Sequence, residues 1–387
     1  MKQNILLLDA DGTQGLIIAE SLCKAEYIVH SFCYERYSYG FHTRYVKNKI
    51  IAPSVKKENE YLFFLTDYIK KNAIDVLLPM TDDSAEIISK NKTDLSKIVK
   101  FIMPDYDIFT RGYNKKELMT VCEKHHFPHP KTIDLNIVSP FELEKFSFPA
   151  MLKPNYTTGG RGMSKINSFE ELNKVLSPTI EQYGDCHLQE FIGEGGKQYK
   201  VQLFVDEKYN LIQSSVIYKQ RYYPVKAGSS CCNVTVENKE LVTLCYCILK
   251  TIHWQGFADF DLIEDPKDGI IKVMEINPRI PACIKSTVKS GIDWGNLIVD
   301  ETLGNQCKNY TYIAGKRLRH IGFEVLWFFY SKNRFKTNPN WFNFFDRNLS
   351  FQDFSWKDPL PFFFGTIGNI KKQLNPRFRK SKSGTKK

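Results

Sequence analysis

The chain has 387 residues, of which 42% are hydrophobic and 25% are charged, and this balance excludes a chain disordered throughout its length. No apolar run approaches the roughly 20 residues of a membrane-spanning helix, and the first residues do not resemble a secretion signal, so we expect a cytoplasmic protein. The net charge of +11 resides in residues 315–387, which hold 16 Lys and Arg against 4 Asp and Glu. Because the rest of the chain is nearly neutral, we expect no specific binding of nucleic acid.

The ten cysteines are scattered along the chain, and none of them belongs to a Cys-x-x-Cys pair. Structural zinc sites use closely spaced cysteine and histidine ligands, so the sequence predicts no zinc site. In a reducing cytosol such cysteines remain free thiols, and most free cysteines are buried.

Strand and helix signals alternate over the first hundred residues. Short apolar runs predict buried strands at residues 5–8, 27–32, 76–80 and 101–103. Apolar residues at helical spacing predict helices at residues 16–25, 61–71 and 84–90. Such alternation is typical of a parallel sheet covered by helices.

The first predicted strand and helix are joined by the loop Asp11-Gly12-Thr13-Gln14-Gly15. A glycine-containing loop before a helix can hold a phosphate. The Gly-x-Gly-x-x-Gly fingerprint of dinucleotide-binding folds is absent, however, as is the lysine loop of P-loop enzymes. We therefore interpret this loop as a structural turn, which also argues against an NAD-dependent oxidoreductase.

Strand signals dominate the next two hundred residues. Strands are predicted at residues 148–153, 187–192, 199–205, 211–218, 256–264 and 270–276. Helices are predicted at residues 114–125, 169–183 and 239–253. Many strands with few helical crossovers indicate an α+β region after the parallel sheet.

A lysine at the end of one predicted strand precedes a glycine-rich segment, Lys153-Pro-Asn-Tyr-Thr-Thr-Gly159-Gly160-Arg161-Gly162-Met163. Glycines allow backbone N–H groups to approach a polyphosphate closely, and a lysine supplies a positive point charge. The same residues also suit an ordinary flexible hairpin, so this segment by itself leaves both interpretations open.

Acidic residues recur on two later strands. Asp261 lies on the first, and Glu275-Ile-Asn277-Pro-Arg279 ends the second. The turn sequence at residues 265–269 predicts a hairpin, in which Asp261 and Glu275 share one face. Nucleotide-bound Mg²⁺ takes one or two carboxylates together with phosphate oxygens and water. Arg279, just beyond the strand, suits an anionic oxygen.

In this order the motifs resemble the ATP-grasp superfamily, in particular biotin carboxylase, the carbamoyl-phosphate synthetase large chain and the amino-acid ligases. The resemblance spans roughly residues 1–300 and rests on the Glu-Ile-Asn-Pro-Arg stretch that follows an acidic strand and a lysine–glycine loop. It implies an α/β and α+β fold with a Rossmann-like N-terminal domain and a two-lobed ATP-grasp fold. The implied division is a Rossmann-like domain at 1–104, a linker helix and lid lobe at 105–188, a core with the metal site at 189–314 and a basic aromatic extension at 315–387.

The resemblance further implies an ADP-forming ligase that uses ATP and Mg²⁺ or Mn²⁺. In such a reaction a substrate carboxylate attacks the γ-phosphate of ATP, and an amine then displaces phosphate from the acyl phosphate. A small-molecule acid and an amine are the expected partners, and a homodimer is left open. The alternative is a catalytically inactive regulatory protein that binds ATP with the same fold.

The family also implies roles for individual residues of this sequence. The nucleotide is expected to contact Lys115 or its neighbour Lys116, Lys153, Gly159, Gly160, Gly162, Met163, Glu190, Phe191 and Ile192. The metal is expected to contact Asp261, Glu275 and Asn277. The resemblance makes Lys153 and Arg279 catalytic, with Arg279 on the acid or acyl phosphate. Ribose binding stays open between Glu194 and Gln198.

Two cations outside these motifs, Lys219 and Arg221, precede a glycine turn at residues 226–230. Cations at this place suit substrate carboxylates, and they equally suit the protection of a strand edge. The catalytic-base region of biotin carboxylase has no clear counterpart here, which argues against biotin carboxylation. The chain also has no duplicated half, in contrast to a complete carbamoyl-phosphate synthetase.

The C-terminal extension combines aromatic and basic residues. Residues 315–387 contain 17 Phe, Trp and Tyr, and residues 371–387 hold eight basic and no acidic residues. Aromatic clusters with basic flanks are typical of segments that bind anionic membrane surfaces. They are also compatible with packing on the catalytic body. We expect packing for the aromatic residues and attraction to the anionic inner membrane surface for the extreme tail.

Overall fold

The computed structural model describes residues 2–157, 160–225 and 228–375. The predicted nucleotide residue Gly159 and the basic tail after residue 375 lie outside the described residues. The strands are β1 Asn4–Leu8, β2 Ile28–Cys33, β3 Asn48–Ile51, β4 Val76–Pro79, β5 Thr132–Asp134, β6 Ala150–Pro154, β7 Ser164–Ile166, β8 Cys186–Glu190, β9 Gln198–Val205, β10 Leu211–Tyr223, β11 Ser229–Val236, β12 Gly256–Glu264, β13 Ile271–Asn277, β14 Arg317–Arg319 and β15 Leu349–Phe351.

The α-helices are α1 Thr13–Lys24, α2 Glu58–Asn72, α3 Asp82–Lys90, α4 Lys92–Leu95, α5 Tyr106–Tyr113, α6 Lys115–Lys124, α7 Pro140–Glu144, α8 Phe169–Tyr183, α9 Lys239–Ile252, α10 Lys285–Lys289, α11 Trp294–Leu303, α12 Ile321–Tyr330 and α13 Leu360–Leu374. A short 3₁₀-helix spans Gly40–His42. Among the described residues, no helix has the length and apolar content needed to cross a membrane.

The chain divides into two compact units, each built from several segments of sequence. The first unit comprises Met1–Phe109, Lys200–Asp259 and Asn277–Ile370. The second unit comprises Thr110–Tyr199, Phe260–Ile276 and the segment that begins at Lys371. Strands β9, β12 and β13 therefore contribute residues to both units.

The first unit contains the parallel sheet that the alternating pattern predicts. Its strand order is β3–β2–β1–β4, and the three pairings are parallel. Residues 5–8 of β1 are fully buried, as expected for a strand covered on both faces. A Cβ at Gly15 would lie 2.8 Å from the Ala10 carbonyl oxygen, so glycine permits the close approach of α1 to the end of this strand.

The prediction of a strand at residues 101–103 is wrong. Leu77 N donates to Lys100 O at 3.0 Å, and Lys100 N donates to Asp75 O at 3.0 Å. These bonds form an isolated bridge that ends at Lys100. The apolar residues that follow pack without strand pairing, with Phe101 8% and Met103 3% exposed. These residues are therefore apolar because they are buried, and not because they belong to a strand.

The first unit also contains a mainly antiparallel sheet. Within this unit the strand order is β12–β9–β10–β11–β14–β15. Strand β11 pairs antiparallel with both β10 and β14, whereas β15 pairs parallel with β14. Strand β11 is not predicted from the sequence, because its Ser, Cys, Asn and Thr residues form no long apolar run. The C-terminal extension supplies β14 and β15 and so completes this sheet.

A buried ion pair attaches helix α12 of the extension to β10. Arg221 donates from Nε and Nη2 to the two carboxylate oxygens of Glu324 at 2.8 and 2.9 Å, and from Nη1 to Pro339 O at 2.8 Å. A second guanidinium, that of Arg319, lies 3.4 Å from the same carboxylate, and both arginines and Glu324 are 2% exposed. These contacts assign Arg221 to the fold, contrary to its predicted role in substrate binding.

Replacing Glu324 by alanine tests this assignment. The variant leaves two buried guanidinium groups without their carboxylate, and breaking a buried pair in this way costs about 3–5 kcal/mol. Urea unfolding should show a loss of this size. The matched control is Glu60→Ala, which breaks an exposed pair with Lys57 of 2.9 Å and should cost at most about 1 kcal/mol. Equal, small losses in both variants would contradict the assignment.

The second unit contains a four-stranded antiparallel sheet with the order β5–β8–β6–β7. Helix α8 covers one face, because Leu172 belongs to a core that also includes Leu152, Ile166 and Leu188. Residues 260–264 of β12 and 271–276 of β13 lie side by side in this unit. Gly269 N donates to Asp265 O at 2.8 Å, which closes the turn of the predicted hairpin.

Candidate active site

Lys153 lies on β6 of the second unit and is 6% exposed. Its Nζ donates a hydrogen bond to Oε1 of Gln189 on the neighbouring strand β8. Burial lowers the pKa of Lys153 to about 8, while Glu275 acts to raise this pKa and Lys115 to lower it. A buried ammonium group bonded to a neutral amide gains strongly from an anionic ligand.

Lys115 begins α6 and lies beside the same region. Its Nζ donates to Thr157 O at 2.7 Å and is 3.4 Å from a carboxylate oxygen of Glu275. The side chain of Lys115 is 8% exposed. Its neighbour Lys116 instead forms ion pairs with Glu117 at 2.6 Å and Asp134 at 3.1 Å. The two lysines that the sequence left as alternatives therefore have different partners, and their contact with the nucleotide stays a prediction.

His187 is a buried residue that the sequence analysis did not identify. It faces Lys153 across the β6–β8 pairing, and its Nδ1 is 2.8 Å from Asn155 Oδ1. Its Nε2 has no hydrogen-bond partner within the described part of the chain. Burial, Lys153 and Lys115 hold the pKa of His187 well below its usual value. His187 and Gln189 are two residues apart on one strand, so their side chains share a face of the sheet. This spacing is the sequence signal that could have identified His187.

Strands β6 and β7 pair antiparallel, and the glycine-rich segment after Lys153 lies between them in the sequence. Gly160 and Gly162 have φ angles of 72° and 69°, a region that favours glycine. A Cβ at Gly162 would also lie 2.7 Å from the Tyr183 ring. Met163 N donates to Gly160 O at 3.4 Å. Glycine is therefore required at these positions by the backbone of the loop.

Residues 190–192 are the segment predicted to bind adenine. They lie at the end of β8 and directly after it, in the second unit. Glu190 carboxylate oxygens lie 3.6 Å from Lys267 Nζ and 3.5 Å from Lys272 Nζ. Lys165 Nζ lies 4.2 Å from the centre of the Phe191 ring, and Ile192 is half-buried. These contacts give Glu190 cationic partners on the β12–β13 hairpin, and its contact with adenine stays a prediction.

The three predicted metal ligands do not all belong to the same unit. Asp261 and Glu275 are half-buried on neighbouring strands of the second unit. Asn277 belongs to the first unit, where its Nδ2 donates to Asp259 O at 3.1 Å. Across the described residues there is no group of three or more His, Cys, Asp and Glu side chains arranged for a metal. Two carboxylates nevertheless fit nucleotide-bound Mg²⁺, which takes its other ligands from phosphate and water.

Arg279, in the first unit, approaches the end of the parallel sheet. Its Nε lies 3.1 Å from Asp82 Oδ1, and its Nη2 donates to Asn277 Oδ1 at 3.5 Å. The side chain of Arg279 is 22% exposed. Lys219 is half-buried on β10, opposite Asn233. The roles of both cations toward the acid stay predictions.

Comparison with known proteins finds similarities in sequence and in fold. Residues 141–293 match the family model described as carbamoyl-phosphate synthase L chain, ATP binding domain. The chain is 26% identical to a D-aspartate ligase of Enterococcus faecium over 291 residues, which cover 68% of this chain and 69% of that protein.

Two solved structures have a similar fold. A biotin carboxylase–β,γ-ATP complex from Campylobacter jejuni has a TM-score of 0.66 at 16% identity, covering 80% of this chain and 73% of that one. An L-amino acid ligase from Bacillus licheniformis has a TM-score of 0.61 at 16% identity, covering 79% and 75%. These two structures show that the chain has a similar fold, and the family model shows that residues 141–293 resemble an ATP-binding domain.

Proposed function

We propose that the chain joins the carboxylate of an amino acid to an amine and forms an amide-type C–N bond. In the first step a carboxylate oxygen attacks the γ-phosphorus of ATP, the bond to the β–γ bridging oxygen breaks, and ADP leaves. In the second step the amine nitrogen attacks the acyl carbon, the carbon–oxygen bond to phosphate breaks, and the nitrogen loses one proton. The products are the amide, ADP and inorganic phosphate.

The observation that carries this proposal is the pair of buried lysines in the second unit. Lys153 is bonded to the neutral side chain of Gln189, and its lowered pKa reports the cost of its burial. Lys115 adds a second positive charge nearby. Phosphoryl transfer depends on groups that neutralise charge on the phosphate oxygens. We assign Lys153 and Lys115 to the ATP phosphates.

The hairpin carboxylates supply the partners for the metal. Glu275 lies 3.4 Å from Lys115 Nζ, so a nucleotide lysine and a metal ligand are neighbours in one unit. We assign Asp261 and Glu275, which both belong to the second unit, to Mg²⁺. A role for Asn277 as a metal ligand stays what the resemblance implies. When bound, Mg²⁺ neutralises charge on the transferring phosphoryl group. Of the residues that the resemblance assigns to the lid, Gly160, Gly162 and Met163 are described, and we assign them to a cover over the phosphates that limits hydrolysis of the acyl phosphate by water.

The acid is proposed from the names of the relatives. A D-aspartate ligase and an L-amino acid ligase are both similar to this chain, which favours an amino acid as the carboxylate substrate. Arg279 and Lys219 are the cations that we assign to that carboxylate or to the acyl phosphate. The division at residues 104, 188 and 314 into N-terminal domain, lid lobe, core and extension is part of the same proposal.

The pKa of Lys153 gives a test of its contact with ATP. At about pH 9 most of Lys153 is neutral, because its pKa in the free protein is about 8. Phosphate oxygens favour the ammonium form and raise the pKa, so ATP binding should take up nearly one proton at this pH and almost none at about pH 6. ATP affinity should accordingly fall as the pH rises above about 8.

Calorimetry in buffers of different ionisation enthalpy measures this proton uptake. The matched control is Lys153→Arg, which keeps the charge but does not titrate in this range and should bind ATP without that uptake. If Lys153→Arg takes up as many protons as the wild type at about pH 9, Lys153 does not contact the nucleotide.

The hairpin carboxylates are tested by Asp261→Asn and Glu275→Gln. Each variant keeps the size of the side chain and removes its charge, so Mg²⁺-dependent ADP release should fall at least about 100-fold in each. The double variant should lose little more than either single variant, because both residues serve one metal. Asp268→Asn, in the turn of the same hairpin and 40% exposed, is the control and should keep full activity. Folded Asp261 and Glu275 variants with normal turnover would refute the metal assignment.

The substrate class is tested by ADP release from Mg·ATP with a panel of amino acids as acids and small amines as acceptors. D-Aspartate is the first acid to try, given the Enterococcus faecium relative. We expect ADP release that requires both substrates and a product that contains both. Binding of Mg·ATP with no turnover for any pair would favour the inactive regulatory protein instead.

A further inference from the structure

Helix α13 is held in the first unit by one glycine-bearing face. A Cβ at Gly368 would lie 1.9 Å from the Tyr37 carbonyl oxygen, and one at Gly365 would lie 2.4 Å from the Tyr39 ring. Asn369 Nδ2 donates to Tyr39 Oη at 3.1 Å. Since a larger side chain would collide with these groups, the glycines fix which face of α13 contacts the rest of the unit.

The other face of α13 is apolar and exposed. Its members recur every three or four residues and are 54%, 55%, 41% and 54% exposed, in the order Leu360, Phe363, Ile367 and Ile370. At 3.6 residues per turn these four side chains lie within an arc of roughly 80°. We refer to these four residues as the apolar stripe. A row of this kind on a surface helix marks a binding surface.

The charge around the apolar stripe indicates what covers it. Lys371 and Lys372 follow Ile370 directly and are exposed, and residues 371–387 contain eight basic and no acidic residues. Trp356, which precedes the helix, is 88% exposed, and tryptophan is enriched at membrane–water interfaces. Two copies of so basic a segment would repel each other, whereas an anionic lipid surface complements both its charge and the apolar side chains.

We propose that the apolar stripe, together with Lys371 and Lys372, binds the surface of an anionic lipid bilayer. The helix lies in the interface, with the stripe among the upper acyl chains and the lysines at the lipid headgroups. Its 15 residues suit this position, since a membrane span needs about 20. The proposal goes beyond the ligase reaction, because it concerns where the enzyme works and not its chemistry.

Sedimentation of the full-length protein with lipid vesicles tests the proposal. Vesicles of phosphatidylcholine with about 30% phosphatidylglycerol supply the anionic surface, and pure phosphatidylcholine is the neutral reference. We expect binding to the anionic vesicles at about 50 mM salt and release at about 500 mM. Absence of binding at low salt, or equal binding to both vesicles, would overturn the proposal.

Two double variants separate the apolar and the charged contributions. Phe363→Ser with Ile367→Ser removes apolar contact and should weaken vesicle binding at least about tenfold. Lys371→Gln with Lys372→Gln should weaken binding by roughly fivefold or more per cation. Phe63→Ser is the matched control, because Phe63 on α2 is 79% exposed and lies outside the stripe. It should bind like the wild type.

Two further readouts complete the test. ADP release in solution should be the same in all of these variants and the wild type, which keeps the result independent of the proposed reaction. Light scattering reports the oligomeric state. If the wild type is a dimer that Phe363→Ser with Ile367→Ser separates into monomers, the stripe belongs to a second copy of the chain and the membrane proposal is wrong.

Discussion

The candidate site depends on the burial of positive charge at Lys153 and Lys115. Transfer of an ammonium group from water into a protein interior costs several kcal/mol unless other groups compensate. Gln189 offers Lys153 an amide oxygen, and Glu275 offers Lys115 a single carboxylate. Burial lowers the pKa of His187, and the same two cations lower this pKa further. An anionic ligand with several oxygens can compensate both charges at once, which is the reason for the proposed contact with the ATP phosphates.

The buried arginines of the first unit differ from these lysines, because a carboxylate of the protein lies beside both guanidinium groups. Arg221 makes two short hydrogen bonds to Glu324 and a third to a backbone oxygen. A planar guanidinium bound in this bidentate way has its charge and its donors satisfied by the protein. Burial alone therefore does not mark a binding residue. What separates Lys153 from Arg221 is the chemistry of the partner, a neutral amide for one and a carboxylate for the other.

The long periodic segments of the fold are predictable because each one carries its own signal. The bounds of α8 and β12 agree with the sequence prediction, and the strands of the first sheet pair parallel, as predicted. Strand β11 escapes prediction because its burial comes from pairing on both sides and not from apolar composition. Residues 101–103 were wrongly predicted as a strand because they are apolar. They are buried by packing, and in the described part of the chain no strand pairs with them.

The sequence by itself determined the order of the motifs, the strand that carries Lys153 and the hairpin that carries Asp261 and Glu275. These features follow from alternation and turn residues over a few neighbouring positions. Only the tertiary structure decided that Lys115, and not Lys116, lies beside Glu275, that Arg221 belongs to the fold, and that His187 is buried beside Lys153. These outcomes depend on which distant segments meet and how much water they exclude, and a local pattern of residues contains no record of either.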